Sequence, residues 1–381
     1  MKRIQKGGKI QTKNNGVLVR TVFKTILALL LFLILGYWAI GGASGVVRHL
    51  VPSFPDLPPP QTTLQVEDRG LLHFQSSSPF DLDVLLSQSG LTTHTSYGTL
   101  HLPQSATSDH PVPVMILLHG SSGLGTGRED MYAQLLNEAG VGAFILDYYG
   151  SRGLTPDMHY MAKLFAVSEV DALSDAYNGL ALLKTHPAID PDKIGLAGFS
   201  YGGMAIRMAM AQRIQRAFHE DKGFAVFADF YGPCFQVPNM MNTNGAPLLT
   251  LRGDNDGSNV LSDCVNREQE IQLAGSPVEA HIFKDAPHAW DTVDAKAQMW
   301  PDSPYIANCE VHYNQQGQSL LNDKPLIDLD LDAERSERIV ARFLSQLDLM
   351  DCLQYGYVSG QDESITVQSN PVFLDFIKRH L

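Results

Sequence analysis

Residues Gly198-Phe199-Ser200-Tyr201-Gly202 read G-x-S-x-G, between an apolar run and a helix-like run, "MAIRMAMAQRI". A tight strand-to-helix turn with this spacing holds its serine in a strained backbone conformation, hydroxyl pointing out of the sheet. A Cβ two residues to either side would collide across the turn, which is why both flanking positions are glycine. The chemistry open to such a hydroxyl is nucleophilic attack on a carbonyl. Alone it is weak, and it needs an adjacent base that is itself oriented by an acid. An ordinary glycine-rich connection of a nucleotide-binding fold carries a similar string, so the partners have to be sought.

On a sheet of this kind the chain order is serine, then acid, then histidine. Downstream, "LLTLRGDNDGSN" ends a strand-like run with Asp254 and Asp256, and "HIFKDAPHAWD" ends the next with His288. One histidine among 13 means little by itself, but His288 follows the last strand-like run, whereas His281 lies inside it. Asp256 sits farther past its strand than Asp254 and can turn back towards the histidine. Asp254 stays as the alternative. A tetrahedral intermediate also needs donors for its oxyanion, for which the backbone amides of Tyr201, at a helix N-terminus, and Ser121, after "VPVMILLHG", are the candidates. The run "HGSSGLGTG" fits neither a G-x-x-x-x-G-K-[ST] loop nor G-x-G-x-x-G, and no H-E-x-x-H or clustered ligand set occurs. No metal and no cofactor are expected.

The elements that must position these residues follow from the periodicity. Runs at 112–120, 141–150, 193–200, 224–232, 247–254 and 278–285 read as strands, the first two being continuous, largely apolar runs. Between and after them, 131–140, 166–184, about 202–216 and 333–349 read as helices. Strands apolar on both faces, alternating with helices, predict an α/β class with a mostly parallel, doubly wound sheet. Gly120, Tyr149, Ser200, Cys234, Asp256 and His288 all lie at or just after strand ends, where such sheets carry their chemistry. Residues 63–111 hold short alternating stretches that suggest edge strands.

Composition sets the surroundings. The 381 residues are 44% hydrophobic and 18% charged, as expected of a globular protein with a sizeable core. Residues 1–24 carry seven Lys/Arg and no acid, leaving 21 basic against 41 acidic residues in the rest. An acidic body is a poor partner for nucleic acid. The basic stretch reads instead as the cytoplasmic flank of 25–47, "TILALLLFLILGYWAIGGASGVV", which is uncharged and long enough to cross a bilayer as a single-pass transmembrane helix. A cleaved signal peptide is the competing reading, and either exports the body to a periplasmic or extracellular space. A Pro-rich linker (48–65), a catalytic domain (66–350) and a C-terminal tail (351–381) complete the expected organisation. All four cysteines, Cys234, Cys264, Cys309 and Cys352, fall in the exported part, where disulfides form; three connectivities are open.

The stretches "LLHGSSGLG", "LDYYGSRG", "AIDPDKIGLAGFSYGG", "LRGDNDGSN" and "DAPHAWD" resemble the dienelactone hydrolase family of the α/β-hydrolase fold, over about 95–350. The resemblance implies a hydrolase with a nucleophile–His–Asp triad. It favours Asp256, since the family's acid comes three residues after the strand-ending glycine, here Gly253. Dienelactone hydrolases proper use cysteine as nucleophile, so Ser200 points towards general ester chemistry on small-molecule esters or lactones. The family's arginine near the "DYYGSRG" loop can hold a substrate carboxylate, which implies Arg152, with Tyr149 beside it, as substrate-binding residues. Residues 292–332 are an insertion relative to the family core. They are expected to cap the site or to be pinned to the tail by Cys309–Cys352, with Cys234–Cys264 joining loops around the acid. A serine peptidase and a catalytically silent binding protein on the same scaffold are the other classes compatible with these residues.

Overall fold

Strands that are apolar on both faces need cover on both faces, and the central ones have it. β3 (Val112–Leu118) is buried at every residue but Pro113, and β4 (Gly142–Leu146) at every residue. With β1 (Gly70–Ser78), β2 (Thr92–His101), β5 (Ile189–Phe199), β6 (Phe227–Phe230), β7 (Leu248–Gly253) and β8 (Val278–Phe283) they form one sheet. Its spatial order is β1-β2-β4-β3-β5-β6-β7-β8. From β4 to β8 all neighbours are parallel. β1 and β2 complete one edge by antiparallel pairing, and β2 alternates buried with half-buried residues as a strand covered on one face does. This is the α/β-hydrolase arrangement. The structure, a computed structural model, describes residues 29–39, 41–125, 127–239 and 242–381.

The helices follow the apolar periodicity. They are α1 (Arg128–Glu138), α2 (Glu169–Leu183), α3 (Tyr201–Ala209), α4 (Leu261–Leu273), α5 (Arg335–Ser345) and α6 (Glu363–His380). α2 starts at a capping box, with the Ser168 side chain accepting from the Asp171 amide and the Asp171 side chain from that of Ser168. The helix read over 202–216 is broken. Ala211 is extended and bridges to Thr243, which separates α3 from a short helix at Gln212–Ala217.

Two expected boundaries dissolve into the body. Pro52–Leu381 form one compact unit. From Pro52 onward the stretch read as a linker is part of it, with the Phe54 ring stacked on His94 at 4.6 Å and the Gln61 amide donating to His73 O at 2.8 Å. The stretch read as a tail supplies core: Phe373 of α6 packs edge-on against Tyr132 and Phe230, with ring centroids at 5.6 and 5.2 Å. Truncating so buried a ring costs about 3–5 kcal/mol.

The insertion is held in the same way. Its strand Gln298–Tyr305 pairs antiparallel with Gln354–Ser359. Cys309 is bonded to Cys352 and Cys234 to Cys264. In the separate N-terminal unit, Leu29–Ala39 and Gly42–Leu50 are two helices bent by 76° from one another. Among the described residues no single helix is long and apolar enough to cross a membrane, although this bent pair together has the length and composition of a broken span. The expected basic tail, 1–24, and the start of the expected anchor, 25–28, lie outside the described residues.

Candidate active site

Parallel strands deliver their following loops to one edge of the sheet, and four such loops converge here. After β5, Ser200 adopts φ 51° and ψ −113°, while its amide donates to Phe230 O of β6 at 2.9 Å. Only a crowded turn sustains such a conformation in a residue other than glycine. A Cβ on Gly198 would lie 2.4 Å from Gly202 O, and one on Gly202 would lie 2.5 Å from Leu118 O. Both glycines are therefore fixed by backbone contact.

The Ser200 Oγ lies 2.8 Å from His288 Nε2, and His288 Nδ1 lies 2.8 Å from Asp256 Oδ2. The carboxylate is buried, which alone would raise its pKa. The imidazole of His288 and donors from Ser258 and Asn259 outweigh burial and hold it below the usual carboxylate range. Ser258 donates to Asp256 Oδ1 from both its amide, at 3.0 Å, and its hydroxyl, at 2.5 Å. Asn259 donates to Oδ2 at 3.2 Å while its own oxygen accepts from the Cys234 amide at 3.1 Å, so the Cys234–Cys264 loop backs the acid. Asp254 points elsewhere, accepting from the Asp285 amide.

The histidine loop is clamped by the C-terminal strand. The His288 amide donates to Val358 O and its carbonyl accepts from the Gly360 amide, both at 2.9 Å. The Tyr357 ring stands edge-on to the imidazole at 5.5 Å. Tyr201 opens α3, which puts its amide at the positive end of the helix dipole. Its phenol oxygen accepts from Arg342 Nη2 at 2.9 Å and lies 3.0 Å from Glu169 Oε2. On the neighbouring loop, burial holds the His119 pKa down to about 4 against the pull of its bond to Gly120. Neutral at ordinary pH, it donates from Nδ1 to Gly120 O at 2.8 Å, one residue before Ser121. Two cavities, about 190 and 350 Å³, meet at Ser200 and share Ser121, Tyr160, His288 and Tyr357 as walls.

Two expectations fail. Arg152 is fully buried and binds Asp175 Oδ2 at 2.7 Å, Tyr148 O at 2.9 Å and Ser78 Oγ at 3.2 Å. Its guanidinium is committed to β1 and α2 and lines neither cavity at Ser200, so it does not hold a substrate. Tyr149 is likewise buried, edge-on to His119, and lines neither. Sequence reasoning missed Ser258, Asn259, Tyr160, Arg342 and Tyr357. The turn string "DGSN" after Asp256 is a signal for the first two, since Asp side chains commonly accept amides two residues on. Nothing local marks Tyr357, which reaches the site through a strand pairing more than fifty residues away.

Solved chains similar to this one include a thermophilic esterase from Thermogutta terrifontis with propionate bound, 15% identical, covering 51% of this chain and 80% of that one with a TM-score of 0.42. The same esterase phosphorylated by paraoxon is 14% identical and covers 51% and 79%, with a TM-score of 0.42. A Klebsiella pneumoniae protein assigned to the dienelactone hydrolases is 19% identical and covers 58% and 88%, also at 0.42. No curated protein matches the chain. The dienelactone hydrolase family model matches residues 98–323, from β2 through the histidine loop and into the insertion, and on that match over more than half its length the chain belongs to the dienelactone hydrolase family, whose members are hydrolases.

Proposed function

We propose that the protein hydrolyses carboxylic esters through a Ser200–His288–Asp256 triad. The observation that carries this reading is the unbroken pair of 2.8 Å contacts from Ser200 Oγ through the imidazole to Asp256. His288 Nε2 takes the hydroxyl proton as Oγ bonds to the ester carbonyl, and the oxyanion forms against the Tyr201 and Ser121 amides. When the intermediate collapses the carbon–alkoxy bond breaks, and the alcohol leaves with the proton from the imidazolium. Water then attacks the acyl-serine, its proton passing to His288 and on to Ser200 as the acid departs. Asp256 keeps the proton of the resting imidazole on Nδ1, so that Nε2 can accept.

The test is a fluorophosphonate probe with a short-chain ester assay. The wild type is expected to be labelled at Ser200. Ser200→Ala is expected to lose labelling and to hydrolyse esters roughly 10⁴–10⁶-fold more slowly. A wild type that is neither labelled nor active on esters overturns the reading.

Export is part of the same proposal. Two disulfides suit an oxidising compartment, and the basic-flanked apolar segment 25–47 suits a membrane tether with the body outside the cytoplasm. Sodium carbonate extraction of membranes is expected to leave the full chain in the pellet. Finding it in the wash refutes the tether.

A further inference from the structure

The two cavities that meet at Ser200 differ in chemistry. The smaller, about 190 Å³, is walled by Leu164, Phe165, Met204, Phe235, Ile306 and Leu353. Arg342 also lines it and is met by Glu169 Oε2 at 3.4 Å and by the Tyr201 phenol. The larger, about 350 Å³, is walled by Ser122, Arg128, Thr292, Asp294, Trp300 and Ser303. Thr292 is 8% exposed, yet its hydroxyl has no hydrogen-bond partner among the described residues. A buried hydroxyl left unpaired costs about 1–3 kcal/mol, a penalty that a bound hydroxyl would remove. Trp300, 42% exposed, is held by a bond from Nε1 to Ser359 O at 3.1 Å and offers a fixed flat apolar face.

We infer that the substrate is an ester of a compact, ring-sized apolar acid with a hydroxylated alcohol, the acid lodged against Phe165 and Phe235 and the alcohol against Thr292 and Trp300. This rests on the hydrolase reading above and names its substrate class. The order of bond breaking fixes which side is which. The acyl group stays on Ser200 after the alcohol has gone and is held by apolar burial alone, which suits the smaller cavity. The alcohol takes its proton from His288 and departs past Ala289 and Thr292, the wall that continues directly from that histidine. An apolar cavity of about 150 Å³ accommodates benzene, so the smaller compartment takes a ring or a short branched chain and is overfilled by a long fatty one.

The test uses the full chain in detergent. The rate constant kcat/KM is measured for methyl and glyceryl esters of acetic, benzoic and dodecanoic acids. The wild type is expected to favour benzoate over dodecanoate, and glyceryl over methyl. Leu164→Trp is expected to lower benzoate relative to acetate about tenfold with both alcohols alike, and Phe165→Ala to raise dodecanoate relative to acetate. Thr292→Val is expected to cut the glyceryl-to-methyl ratio two- to tenfold for every acid, the worth of roughly one hydrogen bond. A wild type that favours dodecanoate or methyl esters overturns the inference. So does Leu164→Trp acting on the alcohol ratio, Thr292→Val acting on the acid ratio, or ratios that do not move in any variant. In each of these cases continued labelling of Ser200 leaves the hydrolase reading standing, whereas loss of wild-type labelling removes both.

Discussion

Arg152 and Asp256 are both buried charges with several partners, but their networks end differently. Around Arg152 every arm returns to protein. Asp175 also accepts from Ser76 Oγ at 2.6 Å, and Asp171 accepts from Ser78 Oγ at 2.7 Å and the Phe80 amide at 3.0 Å. The cluster fastens β1 and the chain after it to α2. Around Asp256 the chain of bonds passes through His288 and stops at a hydroxyl that faces two cavities. Burial and charge are common to the two clusters. What separates a fastening from a reaction centre is whether the last group in the chain is left for something outside the protein to use.

The largest effect that can break this comparison is at the acid. Asp256→Asn keeps the shape but lets the new amide donate to His288 Nδ1, which moves the imidazole proton to Nε2. That nitrogen can then no longer accept from Ser200. A drop in kcat of about 10⁴ is expected, with the thermal midpoint nearly unchanged. A variant within tenfold of wild type would mean that the 2.8 Å contact serves stability alone.

How far the site was legible follows from the same contrast. Ser200, Asp256 and His288 stand at the ends of apolar runs, and a parallel sheet must bring such ends to one edge. The order of strong strands and the flanking glycines are local signals. Arg152 stands in an equally suggestive loop, "DYYGSRG", but which way a loop arginine turns depends on what lies across from it. The serines of β1 that receive it are more than seventy residues away. The strand pairing of the insertion was hidden for a related reason. Gln298–Tyr305 contains Pro301 and Pro304 and is largely exposed, so it carries no strand periodicity, and its partner lies beyond α5. α6 holds Pro371 in its interior, which lowers helix propensity where tertiary packing of Phe373 decides the outcome.

The closed cluster is expected to fail differently from the open one. Arg152→Met leaves the Asp171 and Asp175 carboxylates buried without their cation, a loss of about 3–5 kcal/mol in stability. Because Arg152 lines neither cavity, kcat/KM per labelled Ser200 should stay within about threefold of wild type. Urea unfolding with active-site titration measures both. A raised KM with unchanged stability would return Arg152 to the substrate and erase the distinction.

A smaller effect comes from His94, 3.8 Å from Asp175 in the same cluster. Burial first, and then the charge of Arg152, push its pKa down from 6.5 to about 2. Below pH 6.5 the unfolded chain therefore binds a proton that the folded one refuses, and stability falls as the solution is acidified. Each pH unit in that range removes up to about 1.4 kcal/mol. His94→Gln has no proton to bind, so urea midpoints at pH 6.5 and 5.5 should lie closer together in the variant than in the wild type. Equal slopes would show that the imidazole titrates normally and that the cluster is open to water.

The smallest expected effect sharpens the comparison at its finest scale, between two acids two residues apart. Asp254 and Asp256 leave the same strand, β7, and the first is exposed where the second is 4% exposed. Asp254 accepts one backbone amide, from Asp285, across the loop between β8 and His288. Asn in its place keeps an oxygen that can accept the same bond, so stability should change by no more than about 0.5 kcal/mol. Activity should stay within about twofold of wild type, since no bond runs from Asp254 to the imidazole. Parallel kcat measurements on Asp254→Asn and Asp256→Asn therefore separate position in sequence from position in the proton path. If the two variants lose activity equally, the loop as a whole orients His288, and Asp256 has no special claim to the role.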